Sequence, residues 1–255
     1  MRSFMATSIA ALIASTAFAQ GAAMPAPPTS DPITFRAAGE DAPVLEGVLS
    51  IPRRPTARFQ VTGVVICHPD PKMGGTMNNP VVLEIEERLL NLGIAVLRFN
   101  FRGTGESTGE HDGATAEADD VLGAVAVLRA QPAVDPDRIA VAGYSFGSLM
   151  ALRAAARDAS IVAAACIGFP TGEDLVRADD YLYLSDLSQP TLFVTGTDDQ
   201  YSSIPNLMAL DQHYGLAARV LPIEGANHFF SDAGKRSMMG IQVAQYLSMQ
   251  LVGAF

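Results

Sequence analysis

The stretch Gly143-Tyr144-Ser145-Phe146-Gly147 restricts what this chain can become more than any other. Before it runs Arg138-Ile139-Ala140-Val141-Ala142, a short apolar segment with strand-forming residues. After it runs Ser148-Leu149-Met150-Ala151-Leu152-Arg153-Ala154-Ala155-Ala156, a good helix former. A G-x-S-x-G wedged between strand and helix is the pattern of a sharp turn that lifts a serine Oγ out of the top of a sheet. The flanking positions must be glycine because strand and helix backbones approach too closely there for a side chain. The same turn brings the Phe146 amide to a helix N-terminus, where unpaired N–H groups and the helix dipole favour negative charge. Ser145 is therefore a candidate nucleophile, the Phe146 N–H a candidate oxyanion donor, and Gly143 and Gly147 the residues that permit the bend.

A chain of 255 residues suits one α/β domain with a large core. Its formal charge of −10 excludes a general binder of nucleic acid or of anionic membranes, which needs a basic surface. The first nineteen residues have a different purpose. Arg2, the apolar run Ile9 to Ala14 and the small-x-small triplet Ala17-Phe18-Ala19 form a secretory signal peptide with cleavage after Ala19, so export to the periplasm or beyond is expected. The run is too short to span a bilayer. Residues 20–32, rich in proline, are read as a linker, and 33–255 as the folded domain. The two cysteines, Cys67 and Cys166, each end or nearly end an apolar strand-like run. Those runs are expected to flank the elbow strand on opposite sides, about 9–10 Å apart, too far for a disulfide. Both should be buried free thiols.

Taken in order, Ile33 to Ala37 and Val44 to Ile51 read as an antiparallel pair turning at Gly39-Glu40-Asp41. Val61 to Cys67 is a near-continuous apolar run, the mark of a strand covered on both faces. A loop, His68 to Gly75, leads to a helix with Asn79 as N-cap and Pro80 at its first position. Strands follow at Ile94 to Phe99, at the elbow, at Ile161 to Ile167, at Thr191 to Thr195 and at Ala218 to Ile223, with a closing helix over Lys235 to Leu251. Strands alternating with helices predict a mostly parallel, doubly wound sheet with helices on both faces.

A serine nucleophile needs a base, and the base needs an acid to set its tautomer. Two histidines follow Ser145. His213 falls in an amphipathic segment with Leu207 and Leu210, as an ordinary surface residue. His228, in Gly225-Ala226-Asn227-His228-Phe229-Phe230, lies just past the last strand, where the base belongs. Gly196-Thr197-Asp198-Asp199 follows the preceding strand. Asp199 is favoured as the acid, with Asp198 as a turn residue. Pro69 and Pro71 have no N–H, so Asp70 is the expected second oxyanion donor in its loop. His68 reads as a structural residue holding that loop. Phe101 to Gly109 loosely imitates a dinucleotide loop, but its spacing is G-x-G-x-x-x-G, and neither cofactor nor metal is expected.

These residues resemble those of the small bacterial α/β-hydrolases of the esterase and dienelactone-hydrolase-like groups. The resemblance rests on His68-Pro69-x-Pro71 with Gly74-Gly75-Thr76-Met77, on Asn100-Phe101-Arg102-Gly103-x-Gly105-x-Ser107-x-Gly109, on the elbow, and on Gly225 to Phe230. It implies an α/β-hydrolase fold from about Ile33 to the C-terminus. It also implies a serine hydrolase that cleaves esters through an acyl-enzyme, with Ser145, His228 and Asp199 as its catalytic groups. Dienelactone hydrolases carry cysteine at the elbow, so Ser145 argues against that activity. Cap domains of this fold are inserted between the strands ending at Ile167 and starting at Thr191. Gly168 to Pro190 leaves room for a minimal cap, which suits small or medium acyl esters. A serine peptidase or amidase on the same scaffold, or a non-catalytic ligand-binding homologue, are the alternatives. The sequence leaves the natural substrate and the oligomeric state open.

Overall fold

The computed structural model describes residues 28–53, 60–113, 115–171 and 179–253. The expected leader, and residues 20–27 of the expected linker, lie outside them. Eight strands form one sheet: β1 (Thr29–Arg36), β2 (Val44–Ile51), β3 (Val61–Cys67), β4 (Ala95–Phe99), β5 (Val134–Tyr144), β6 (Ala164–Ile167), β7 (Thr191–Gly196) and β8 (Ala218–Ile223). Their spatial order is β1-β2-β4-β3-β5-β6-β7-β8, antiparallel where β2 meets β1 and β4 and parallel from β4 to β8. The helices are α1 (Pro80–Asn91), α2 (Glu117–Arg129), α3 (Phe146–Arg157), α4 (Ile204–Tyr214) and α5 (Ala233–Val252).

Period-two alternation distributes the strand side chains between two apolar layers. Val65, Cys67, Leu97, Val141, Cys166 and Phe193 pack with α2, α3 and α4 on one face. Val64, Ile66, Val96, Ala140, Ala142 and Val194 pack with α1 and α5 on the other. Each fully buried Leu, Val or Phe side chain contributes roughly 1.5–3 kcal/mol by leaving water. Gly63 lets a helix come close: a Cβ there would sit 2.8 Å from Leu128 Cδ2. The chain leaves β3 for β4 on one side and returns past it to β5 on the other. The carboxyl ends of β3 and β5 therefore border the crevice where open α/β sheets bind ligands.

Cys67 and Cys166 both align with Gly143 of β5, one from each side, and are buried free thiols as expected. Other boundaries differ from the sequence reading. β1 begins at Thr29, so pairing starts inside the segment read as linker. Pro32 is tolerated because β1 is an edge strand bonded only to β2. β6 is just four residues long, beginning at Ala164 instead of Ile161, whereas β5 reaches back to Val134. Between β6 and β7 the described cap is one 3-10 segment, Asp179–Asp186. Among the described residues no helix is long and apolar enough to cross a membrane.

Candidate active site

Ser145 sits between β5 and α3 with φ 53° and ψ −123°, a conformation costing a non-glycine residue on the order of 1–3 kcal/mol. The surrounding backbone enforces it. Ser145 N–H donates to Ile167 O of β6 (2.8 Å), and Ser148 N–H donates to Ser145 O (2.9 Å). A Cβ on Gly143 would collide with the Gly147 carbonyl, and one on Gly147 with the Cys67 and His68 carbonyls. Here the requirement for glycine is steric crowding of main chain against main chain.

The last two parallel strands deliver the partners. His228, in the loop after β8, has Nε2 at 3.0 Å from Ser145 Oγ. Its Nδ1 lies 2.8 Å and 2.9 Å from Asp199 Oδ2 and Oδ1. With Nδ1–H facing the carboxylate, Nε2 is left as the acceptor for the serine hydroxyl. Asp199, in the loop after β7, is fully buried at its side chain. Its Oδ1 accepts the N–H groups of Tyr201 (2.8 Å) and Ser202 (2.9 Å), and its Oδ2 the Thr195 hydroxyl (3.3 Å). Asp198 is exposed and accepts the Thr197 hydroxyl at 3.4 Å, while the His228 ring meets Asp199. The structure thus brings together Ser145, His228 and Asp199, three residues from distant parts of the chain. His213 is exposed near the end of α4 and stacks on Tyr214 instead.

On the β3 side, Asp70 opens a short 3-10 turn (Pro71–Met73). Its carboxylate accepts from Lys72 N–H (2.8 Å), and its carbonyl from Met73 and Gly75 N–H (3.0 and 2.9 Å). Phe146 is the first residue of α3, so its N–H has no acceptor within the helix. Asp70, Phe146, Ser145 and His228 all line a cavity of about 310 Å³. His68 holds the loop from beneath. The Phe101 N–H donates to its Nε2 (3.0 Å), which leaves Nδ1 to donate to Pro69 O (2.6 Å). Burial pushes its pKa down to about 4, so at neutral pH it is an uncharged strut.

The glycine-rich segment after β4 is a structural knot. Asn100 Nδ2 and Glu106 N–H both donate to Glu46 Oε1 (2.6 and 2.8 Å), while Asn100 Oδ1 accepts from Met77 N–H (2.8 Å). Gly105, at φ 59°, has no room for a Cβ beside Glu46 and Asn100. Its spacing departs from that of a dinucleotide loop, and its amide at Glu106 faces a carboxylate.

Three neighbours of the site were not singled out from the sequence. Tyr144, the variable residue before the serine, donates its hydroxyl to His228 O (3.0 Å). Burial foremost, and then the charge of Asp199, raises its pKa, which keeps that donor protonated. Gly168, at φ 54°, backs onto the base: a Cβ there would lie 3.1 Å from the His228 ring and 3.3 Å from Asp199 Oδ2. A glycine just past a strand end was the available hint. His111 packs its ring edge-on to Phe146. Among the described residues no cluster of three or more His, Cys, Asp or Glu could hold a metal ion.

Comparison with known proteins agrees with this architecture. Residues 63–251 match the family described as alpha/beta hydrolase domain. Uncharacterized protein RP471 of Rickettsia prowazekii is 29% identical over 171 residues, 65% of this chain and 71% of that protein. The XC6422 structure from Xanthomonas campestris, described as an a/b serine hydrolase without lid, is 27% identical, covering 88% of this chain and 94% of its own, with a TM-score of 0.68. An alpha-beta serine hydrolase homologue from Coxiella burnetii is 26% identical, covering 84% of this chain and 97% of its own, with a TM-score of 0.71. The eight-stranded, mostly parallel sheet and the family match over most of its length together make this chain a member of the alpha/beta hydrolase domain family.

Proposed function

We propose that this protein is a serine hydrolase cleaving carboxylic esters of small to medium acyl groups. The observation that carries the reading is the unbroken row of contacts at the cavity floor, 3.0 Å from Ser145 Oγ to His228 Nε2 and 2.8 Å from His228 Nδ1 to Asp199. Ser145 Oγ would attack the ester carbonyl while His228 takes its proton. The tetrahedral oxyanion would be held by the Asp70 and Phe146 amides. His228 then returns the proton to the leaving alkoxide, and water, activated in the same way, releases the acyl group. Loss of one oxyanion donor typically costs about 10²–10³ in rate.

The cavity supports the acyl range, because about 310 Å³ is at the small end for ligand pockets. Among the described lining residues there is no Lys or Arg, so the cavity offers no fixed positive charge to an anionic substrate. An uncharged acyl group fits best. The lidless Xanthomonas campestris relative lends further support to an open site.

The test is reaction with a fluorophosphonate probe, followed by p-nitrophenyl esters of increasing chain length alongside matched amides. Labelling of the wild type but not of a Ser145→Ala variant, with ester turnover greatest for short chains, is expected. Faster amide cleavage would favour the peptidase reading, and an unreactive Ser145 a binding protein. The proposal includes export: cleavage after Ala19 would leave Gln20 as the N-terminus of the protein from a periplasmic fraction, read by intact mass.

A further inference from the structure

The loop between β4 and α2 presses a histidine that this mechanism does not use against the oxyanion side of the cavity. The His111 side chain is 7% exposed. Its ring meets the Phe146 ring edge-on, centroids 5.1 Å apart at 79°. Nε2 lies 3.4 Å from Asp70 Oδ1, and Nδ1 lies 2.6 Å from Oε1 of Glu117, whose side chain is fully buried. A neutral imidazole carries one N–H, which can answer only one carboxylate; burial raises the Glu117 pKa, so a proton can be shared across the 2.6 Å contact with Nδ1 while the other nitrogen serves Asp70. Neither nitrogen is aligned for a full hydrogen bond. The attraction is therefore electrostatic at short range, and strengthened by burial. Glu117 opens α2 and is fixed in turn: its Oε1 accepts from Asp112 N–H (2.9 Å) and Gly113 N–H (3.3 Å).

One imidazole thus touches the side chains of both Asp70 and Phe146. Their amides come from separate segments, the loop after β3 and the first turn of α3, each three residues beyond the Cys67–Gly143 pair at which the β3–β5 ladder ends, so the ladder sets the two roots and side chains set the last few residues. We infer that His111 is a positioning residue that sets the spacing of the two oxyanion donors by bracing Asp70 and Phe146 against Glu117. The inference rests on the reading of Asp70 and Phe146 as those donors. A misplacement of about 1 Å can cost on the order of 10² in rate.

His111→Phe keeps a ring against Phe146 and removes both nitrogens. His111→Gln restores an N–H of similar reach. Asp70→Ala removes the carboxylate but keeps the backbone donor. Turnover of p-nitrophenyl acetate should show kcat about 10- to 100-fold lower in His111→Phe with KM within about twofold, and substantial recovery in His111→Gln. Asp70→Ala should lower kcat as well, and the double variant should be no worse than the poorer single, because the two residues act through one contact. If His111→Phe shows no cooperative melting transition, the Asp70 arm decides: kcat should fall in Asp70→Ala and recover in Asp70→Asn, which keeps an Oδ1 acceptor, and an unchanged kcat in Asp70→Ala overturns the role. A kcat unchanged within about twofold, a loss confined to KM, or additive losses would overturn the positioning role while Ser145-dependent ester turnover by the wild type leaves the hydrolase reading standing. A wild type that cleaves no ester and resists the fluorophosphonate overturns both.

Discussion

Replacing Asp199 with asparagine should disable the site while leaving its packing intact. Oδ1 accepts two backbone N–H groups, from Tyr201 and Ser202, and only an oxygen can serve them. Turning the amide the other way would strand both donors, at about 1–3 kcal/mol each. The asparagine oxygen must therefore occupy the Oδ1 position, and its NH₂ the Oδ2 position, 2.8 Å from His228 Nδ1. Oδ1, at 2.9 Å from Nδ1, already accepts two amides, so the NH₂ makes Nδ1 the acceptor and moves the ring hydrogen to Nε2, facing Ser145 Oγ. A base in that tautomer cannot take the serine proton. Where this happens in other triads kcat falls about 10⁴-fold, which is about 5.4 kcal/mol of barrier. Asp199→Ala should be no worse, because it leaves the imidazole free to choose its tautomer. Asp198→Asn, at an exposed turn, should change kcat by less than about twofold, within the usual range for surface substitutions. Steady-state hydrolysis of a p-nitrophenyl ester, with melting curves for each variant, makes the measurement. An Asp199→Asn enzyme within tenfold of wild type, or an equal loss in Asp198→Asn, would refute the tautomer argument.

Acid should weaken the fold through His68, whose pKa is held near 4 by burial against an ordinary 6.5. The unfolded chain gains a proton below about pH 6.5 that the folded chain refuses until about pH 4. Stability is thus intact above that window and falls by about 3 kcal/mol through it. Urea unfolding at the two ends should show this difference, and His68→Gln should shrink it. Gly147→Ala should cost at least about 1–3 kcal/mol and abolish turnover, because its Cβ meets the Cys67 and His68 carbonyls, which cannot rotate away; a fully active, equally stable variant would contradict the crowding. Cys67 and Cys166 are buried, and burial raises both thiol pKa values, so neither should react with a thiol reagent until denaturant is added. Rapid labelling of the native protein would refute that.

The residues of the site were legible wherever a backbone constraint leaves a mark in sequence. Gly143 and Gly147 mark the elbow, Pro69 and Pro71 leave Asp70 as donor in their loop, and strand ends announce Asp199 and His228 by order along the chain. The near-continuous apolar runs of β3, β5 and β7 pointed to the mostly parallel sheet, since strands buried on both faces must be apolar throughout. Other features had no local signature. The start of β1 at Thr29 depends on β2 being available to pair with it, and an edge position is what makes Pro32 acceptable there. Asp199 was favoured over Asp198 from its place beyond the Gly196 turn, and what holds its carboxylate there, the Tyr201 and Ser202 amides, is visible only in the fold. Tyr144, Gly168 and His111 act on partners 84, 60 and 35–41 residues away in sequence, counted to His228, His228, and Phe146 and Asp70. Sequence alone determined the candidate nucleophile, the candidate base and the sheet that carries them, because each is encoded by neighbours along the chain. Only the tertiary structure decided what fixes the Asp199 carboxylate beside His228 and what packs against the Asp70 loop, because those contacts belong to groups that become neighbours only after folding.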